Sequence, residues 1–256
     1  MKHFILISKK TAGYFLLGGA ALIALLFLAK SAGLPAEVSG AIKKDNPIYF
    51  VYTDENKISL SFDAAWGCEH TEDILNILRD NEVQATFFLT DIWLDAYPET
   101  AQKIAACGHE IAMHSVSHPH MNNLSREEII REIEGNKERI TSVTAYEPTL
   151  FRFPFGEYNN LAVNIVKELG YYPIQWSVDS LDWQDEATAA SIFKRVNDNL
   201  HAGAIILMHN NGNYTADALK EIIPAAKAVG YRFVPIGELI YHGEYTVDIQ
   251  GGQSPK

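Results

Sequence analysis

From residue 47 to the C-terminus, apolar β-prone runs alternate with helical patterns, and this alternation constrains the chain more than any other feature. The runs are 58–62, 85–89, 110–113, 150–153, 173–178, 204–208 and 232–234. Helical periodicity falls near 71–81, 96–106, 126–141, 160–169, 188–200 and 216–229. Gly108, Gly170, Gly203 and Gly230 stand just past a helical pattern or just before the next run, as C′ glycines do. Strand and helix alternating seven times predict an α/β domain whose parallel sheet is closed or nearly closed into a barrel. In such barrels chemistry collects at the C-terminal ends of the strands.

Five of the seven predicted strands deliver an ionisable or metal-capable group to that face. The first ends in Ser61-Phe62-Asp63, and the third runs into His114-Ser115-Val116-Ser117-His118. The fourth carries Arg152-Phe153-Pro154-Phe155-Gly156, the fifth runs into Asp179-Ser180-Leu181-Asp182-Trp183, and the sixth ends in Leu207-Met208-His209. His114 and His118, four residues apart, point the same way on a helical turn and suit one cation, although Pro119 ends any helix at His118. Taken alone the pair is equally a set of capping or solvent-facing histidines. Asp63 is placed either to ligate a metal or to act as general base on a water. His209 closes the run AIILMH as the natural proton donor, with Asp179 holding and charging its imidazole. Arg152 orients Asp63 and keeps it ionised.

The ordered series SFDAAWG, HSVSH, RFPFG, DSLDW and LMH resembles the five motifs of the polysaccharide deacetylases, the NodB-homology family, over about residues 57–240. The resemblance implies a distorted seven-stranded (β/α) barrel that removes acetyl groups from chitin-like glycans, peptidoglycan or xylan. It implies Asp63 as catalytic base, His114 and His118 as metal ligands, Arg152 as the residue orienting the base, and Asp179 as partner of the acid His209. It further implies the Phe155 N–H as oxyanion donor and Trp183 with Leu207 as the wall of the acetyl pocket. The cofactor implied is a divalent metal, zinc first, with cobalt or nickel as candidates. The stretch SFDAAWGCEHT and the N-terminus look closest to cell-wall and sporulation-associated members in Gram-positive bacteria.

The chain departs from that pattern at one position. The family's first motif usually reads aspartate-aspartate, with the second carboxylate on the metal, whereas here Ala64 follows Asp63. Either Asp63 shifts onto the metal, or Glu69 or His70 in the following loop supplies the missing ligand, or the metal is weak or absent. The last case makes the protein a glycan-binding protein on a deacetylase barrel. Cys68 follows a strand and Cys107 ends a helix, on opposite faces, so no disulfide is expected between them. Trp66, Trp176 and Trp183 lie at or near strand ends, where rings can stack on sugars, although Trp176 sits inside a strand pattern and fits a core position as well.

The N-terminal part has a different character. Residues 11–29 form nineteen uncharged, mostly apolar positions between Lys10 and Lys30, long enough to cross a bilayer core of roughly 30 Å. Lys2, Lys9 and Lys10 favour a cytoplasmic tail over 1–10 and export of the remainder. The expected organisation is therefore tail, membrane or signal anchor, a linker over 30–46, and the deacetylase domain over 47–256. Cleavage of the apolar segment would instead release a secreted protein. The net charge of −11 excludes nucleic acid as the natural partner, and 47% hydrophobic residues exclude global disorder. The expected partners are a cell-wall glycan and the membrane, and the expected state is a monomer.

Overall fold

The computed structural model describes residues 45–256. The expected tail, apolar segment and most of the linker lie outside the described residues, among which no helix is long and apolar enough to cross a membrane. The strands are β1 (Phe50–Val51), β2 (Lys57–Ala64), β3 (Thr86–Leu89), β4 (Glu110–Met113), β5 (Leu150–Arg152), β6 (Tyr172–Ile174), β7 (Val178–Asp179), β8 (Ile205–His209), β9 (Arg232–Phe233), β10 (Tyr245–Val247) and β11 (Gly252–Pro255). The helices are α1 (Thr71–Asp80), α2 (Asp91–Ala96), α3 (Pro98–Ala106), α4 (Arg126–Thr144), α5 (Asn160–Glu168), α6 (Ala189–Asn199), α7 (Thr215–Ala228) and α8 (Ile236–Leu239).

The main sheet is curled and runs β6-β5-β4-β3-β2-β8-β7, every pairing parallel, with β9 against the start of β2. The run 173–178 is not one strand as expected. Its first part, β6, pairs with β5 at one edge of the sheet, and β7 pairs with β8 at the other. Gln175, Trp176 and Ser177 cross the gap, so a single segment ties the two edges together. The expected helix 96–106 is α3, opened by Pro98 at a position that needs no N–H, while α2, capped by the Thr90 side chain, precedes it without a counterpart in the expected elements. The longest helix, α4, starts at a capping box between Ser125 and Glu128.

Apolar residues at alternate strand positions build two cores. Ile58, Leu60, Phe62 and Ala64 of β2 face the helices with Phe87, Leu89, Ile111, Met113, Ile206 and Met208. The opposite face of the sheet carries Phe88, Ala112, Leu150, Ile174 and Ile205. On that inner face β2 contributes Ser59, Ser61 and Asp63, all buried. A three-stranded sheet, β1-β11-β10, has no counterpart in the expected elements. It joins the start of the domain to its end, and its approach requires glycine at 203, where a Cβ would lie 1.8 Å from the Val51 carbonyl oxygen.

Candidate active site

The inner face opens, at the C-terminal ends of the strands, into a cavity of about 510 Å³. Its walls include Trp66, Phe155, Trp176, Trp183 and Leu207, and its polar groups come from Asp63, His114, His118, Asp179, His209 and Asn211. Asp63 and His209 end neighbouring parallel strands as register partners, which puts both side chains on the same face.

Arg152 lies beneath Asp63, fully buried. Its Nη1 donates to Asp63 Oδ1 at 2.6 Å, and its Nη2 donates to Ser61 Oγ at 2.9 Å and to the Gln175 carbonyl at 3.2 Å. The guanidinium also stacks 3.9 Å above the Phe88 ring. Burial, the largest single influence, would raise the Asp63 pKa, but the charge and hydrogen bond of Arg152 together with His114 and His209 outweigh it, and the carboxyl is held below its ordinary value. The expected orienting role of Arg152 has the geometry it needs.

His114 and His118 do come together, with ring centroids 5.0 Å apart, but not on a helical turn. The segment after β4 is a loop in which Ser115 has φ 79° and His118 φ 53°. The Ser115 hydroxyl accepts from the His118 N–H at 3.0 Å, closing the turn. Pro119 excludes the helical alternative. His114 Nδ1–H donates to the Arg152 carbonyl at 2.9 Å, so its Nε2 carries the lone pair and lies 3.5 Å from Asp63 Oδ2. Burial holds both imidazoles neutral, lowering the His118 pKa to about 4. His118 Nδ1 is buried without a hydrogen-bond partner.

Two neutral imidazoles are what a divalent cation requires, and the unpartnered His118 nitrogen fits such a ligand. The third donor is not supplied. Ala64 carries no donor and belongs to the helix-facing side of β2, one Asp63 oxygen is committed to Arg152, the Glu69 carboxylate lies over Gly67, and neither Glu69 nor His70, the N-cap residue of α1, lines the cavity. No cluster of three or more metal-capable side chains exists among the described residues. The donor set is one short of the three protein ligands of a catalytic zinc site. Cys68 and Cys107 are free, as expected.

The partner of His209 is a correction. Asp179 pairs in register with Leu207, two residues before His209, and its Oδ1 accepts from the Leu181 N–H at 2.9 Å. After that turn, with Leu181 at φ 55°, the chain brings Asp182 under the imidazole. Asp182 Oδ1 accepts from His209 Nδ1–H at 2.7 Å, and Oδ2 accepts from the His209 N–H at 2.8 Å and the Thr215 hydroxyl at 2.6 Å. Burial would depress the His209 pKa, but the Asp182 hydrogen bond and charge reverse this and raise it. Asp179 remains in the cavity wall, where its charge adds to the rise in the His209 pKa but Asp182 holds the hydrogen bond.

Phe155 sits at φ 57° in a tight turn whose hydrogen bonds run from Gly156 to Phe153 and from Glu157 to Pro154. Its half-exposed ring stacks on His120 at 4.4 Å, and His120 bonds Glu157 at 2.8 Å. Trp183 is exposed at the rim and Leu207 is buried at the wall. Asn136 on α4 has no signal in the sequence. Its Oδ1 accepts from the His114 and Ser115 N–H groups at 2.9 and 3.1 Å, and its Nδ2 donates to Leu89 O and Asp91.

Comparison with known proteins agrees with this architecture. The family model described as polysaccharide deacetylase matches residues 51–174. An uncharacterised Bacillus subtilis protein, YlxY, is 34% identical over 76% of this chain, which spans 60% of that relative's length. A peptidoglycan-N-acetylglucosamine deacetylase of Bacillus cereus is 33% identical, covering 74% of this chain and 91% of that protein. Among solved structures, BA3943 of Bacillus anthracis, described as a CE4 family pseudoenzyme, superposes with a TM-score of 0.73 at 32% identity, covering 76% of this chain and 68% of that one. One mutant of that pseudoenzyme is described as having restored enzymatic activity.

Proposed function

Because the chain belongs to the polysaccharide deacetylase family, we propose that it removes the acetyl group from N-acetylated sugars of peptidoglycan or a chitin-like glycan. One observation carries this reading: a carboxylate held by a buried arginine and an imidazole whose proton affinity is raised by a buried aspartate stand in register at the ends of adjacent strands, at the mouth of one cavity. In this reading the curled sheet is the distorted (β/α) barrel of the family. Asp63 accepts a proton from a water whose oxygen attacks the acetamido carbon. The oxygen that gains charge is met by the Phe155 N–H. His209 gives its proton to the departing nitrogen, the C–N bond breaks, and acetate and an amino sugar leave. Asp182 fixes the tautomer that makes this transfer possible, while Trp183 and Leu207 enclose the acetyl group.

The expected divalent metal belongs to the same proposal, with His114 and His118 as its protein ligands. That pair is one donor fewer than the three protein ligands of an ordinary catalytic zinc site. This shortfall favours a second reading, in which the cavity binds glycan with little or no turnover. We also propose that the apolar stretch 11–29 tethers the domain, as a monomer, to the outer side of the cell membrane.

The two readings separate when the full chain, purified without chelator, is assayed for bound metal and for acetate release from peptidoglycan and chitooligosaccharides. Chelator-sensitive acetate release supports the deacetylase. Glycan binding with no acetate, even with Zn²⁺, Co²⁺ or Ni²⁺ added, supports the binding protein.

A further inference from the structure

The aspartate beneath His209 is itself held by a contact that the reaction does not use. Asp182 is buried, and its carboxylate accepts from three donors. Two belong to His209, the Nδ1–H at 2.7 Å and the backbone N–H at 2.8 Å. The third is the hydroxyl of Thr215, also buried, at 2.6 Å. Among the described residues Thr215 is therefore the one anchor on the carboxylate that lies outside the residue the carboxylate serves.

Threonine at the start of a helix is favoured as N-cap, where its hydroxyl accepts a backbone N–H. Thr215 stands one position later, after Tyr214; α7 has no side-chain cap, and the hydroxyl donates to Asp182 instead. The loop between β8 and α7 makes room for this. A Cβ at Gly212 would lie 2.2 Å from Thr215 Oγ1 and 3.1 Å from Asp182 Oδ2. The Gly212 N–H donates to the His209 carbonyl at 3.4 Å and the Gly212 carbonyl accepts from the Thr215 N–H at 3.2 Å, which turns the chain back toward the carboxylate. A helix start left uncapped, beside a glycine that keeps the hydroxyl's path open, is the kind of local exception that marks a functional site.

We infer that Thr215 is a positioning residue for the proton donor: its hydroxyl fixes the rotation of the Asp182 carboxylate, so that Oδ1 stays on His209 Nδ1–H, and Gly212 leaves the space for it. The last torsion of an aspartate side chain is broad, so its oxygens turn unless they are tied to something fixed. Ties to His209 alone let carboxylate and imidazole move together. A tie to the first turn of α7 does not. Thr215 does not line the cavity and acts only through Asp182. None of the three bonds involves His114 or His118, so a cation on that pair competes for none of them. The inference rests on the deacetylase reading for the role of His209.

The test follows the His209 Nδ1–H proton by NMR in the full chain with nitrogen-labelled histidine, in chelator and again with Zn²⁺ added. The resonance is the one absent from His209→Ala. In the parent it should exchange slowly with water. In Thr215→Val, which keeps the shape and loses the donor, exchange should be several-fold faster, and Thr215→Ser should restore the parent's behaviour. Gly212→Ala, which pushes the hydroxyl off the carboxylate, should act as Thr215→Val does. Acetate release, followed in parallel, should show kcat lowered about tenfold in Thr215→Val with little change in KM. A hydroxyl that only ties α7 to the loop would lower the melting temperature of Thr215→Val and leave the resonance as in the parent, and that result overturns the inference. Should Thr215→Val not fold, Thr215→Ala, which has no methyl groups to accommodate, carries the same readout. Absence of acetate release from the metal-supplied parent fails the deacetylase reading alone, since the resonance still decides whether Thr215 holds the pair.

Discussion

The Asp63–Arg152 pair offers a test that does not depend on turnover. Both side chains are almost wholly removed from water, joined by a 2.6 Å charge-assisted hydrogen bond. Replacing Arg152 with methionine keeps the apolar contact to Phe88 and removes the only guanidinium facing the carboxylate. Removing one member of a buried pair typically costs about 3–5 kcal/mol, because the survivor is left charged in an apolar setting. For a domain of this size that corresponds to a fall in melting temperature of about 6–20 °C. The loss should also depend on pH. In the parent protein Asp63 is held below its ordinary pKa, so its contribution is present above the unfolded value and fades as pH falls through the folded one. In Arg152→Met burial is opposed only by His114 and His209 and pushes the same pKa up, so the variant is penalised most at neutral pH and relieved by acid. Urea unfolding at pH 7 and pH 4.5 measures both. The double variant Asp63→Asn/Arg152→Met should recover part of the loss. A destabilisation under about 1 kcal/mol, or one that does not shrink toward acid, would refute the electrostatic argument.

Three further outcomes follow from the geometry. Asp182→Asn should lower the His209 pKa and cut acetate release by about 100-fold or more, shifting the acidic partner seen in the pH–rate profile, whereas Asp179→Asn should leave that profile in place; the reverse pattern would restore Asp179 as the partner of His209. His109, buried with Nδ1 accepting from the Ala85 N–H, has its pKa lowered by burial to about 4, so stability should be lost as pH falls from about 6.5 to about 4, by about 3 kcal/mol in total; His109→Gln should flatten that part of the pH–stability curve, and an unchanged curve would disprove it. Ala64→Asp places a carboxylate among apolar side chains on the helix-facing side of β2, so it should melt lower than the parent in chelator and respond to added Zn²⁺ no more than the parent does. A larger zinc response than the parent's would show that position 64 turns toward the His114–His118 pair.

The strand-end rule located the site because it depends only on element order. Once the runs 58–62, 110–113 and 204–208 are strands of one parallel sheet, Asp63, His114 and His209 must share a face. The alternation Ser59, Ser61, Asp63 against Ile58, Leu60, Phe62 carried more than the run of apolar residues suggests, since it names the inner face of β2. Other features had no local signature. Asp179 and Asp182 are both within reach of His209 in sequence, and only the pairing of Asp179 with Leu207 decides between them. The break at 175–177 comes from the two edges of the sheet claiming different halves of one apolar segment. The strands β10 and β11 are too polar to register as strands. They form because Asp248 accepts from the Gln250 and Gly252 N–H groups and shapes the turn between them. Asn136 lies in a helix whose charged residues mask the one buried amide that holds the His114 loop.

The central claim is that Asp63 and His209 act together on an acetamido group. Acetate release from one peptidoglycan preparation, compared between the parent chain and His209→Ala under identical metal loading, tests it most directly. The account predicts release by the parent and loss of nearly all of it in the variant, with the melting temperature of the variant close to the parent's. Release that persists in His209→Ala, or that is absent from a metal-supplied parent, would contradict it.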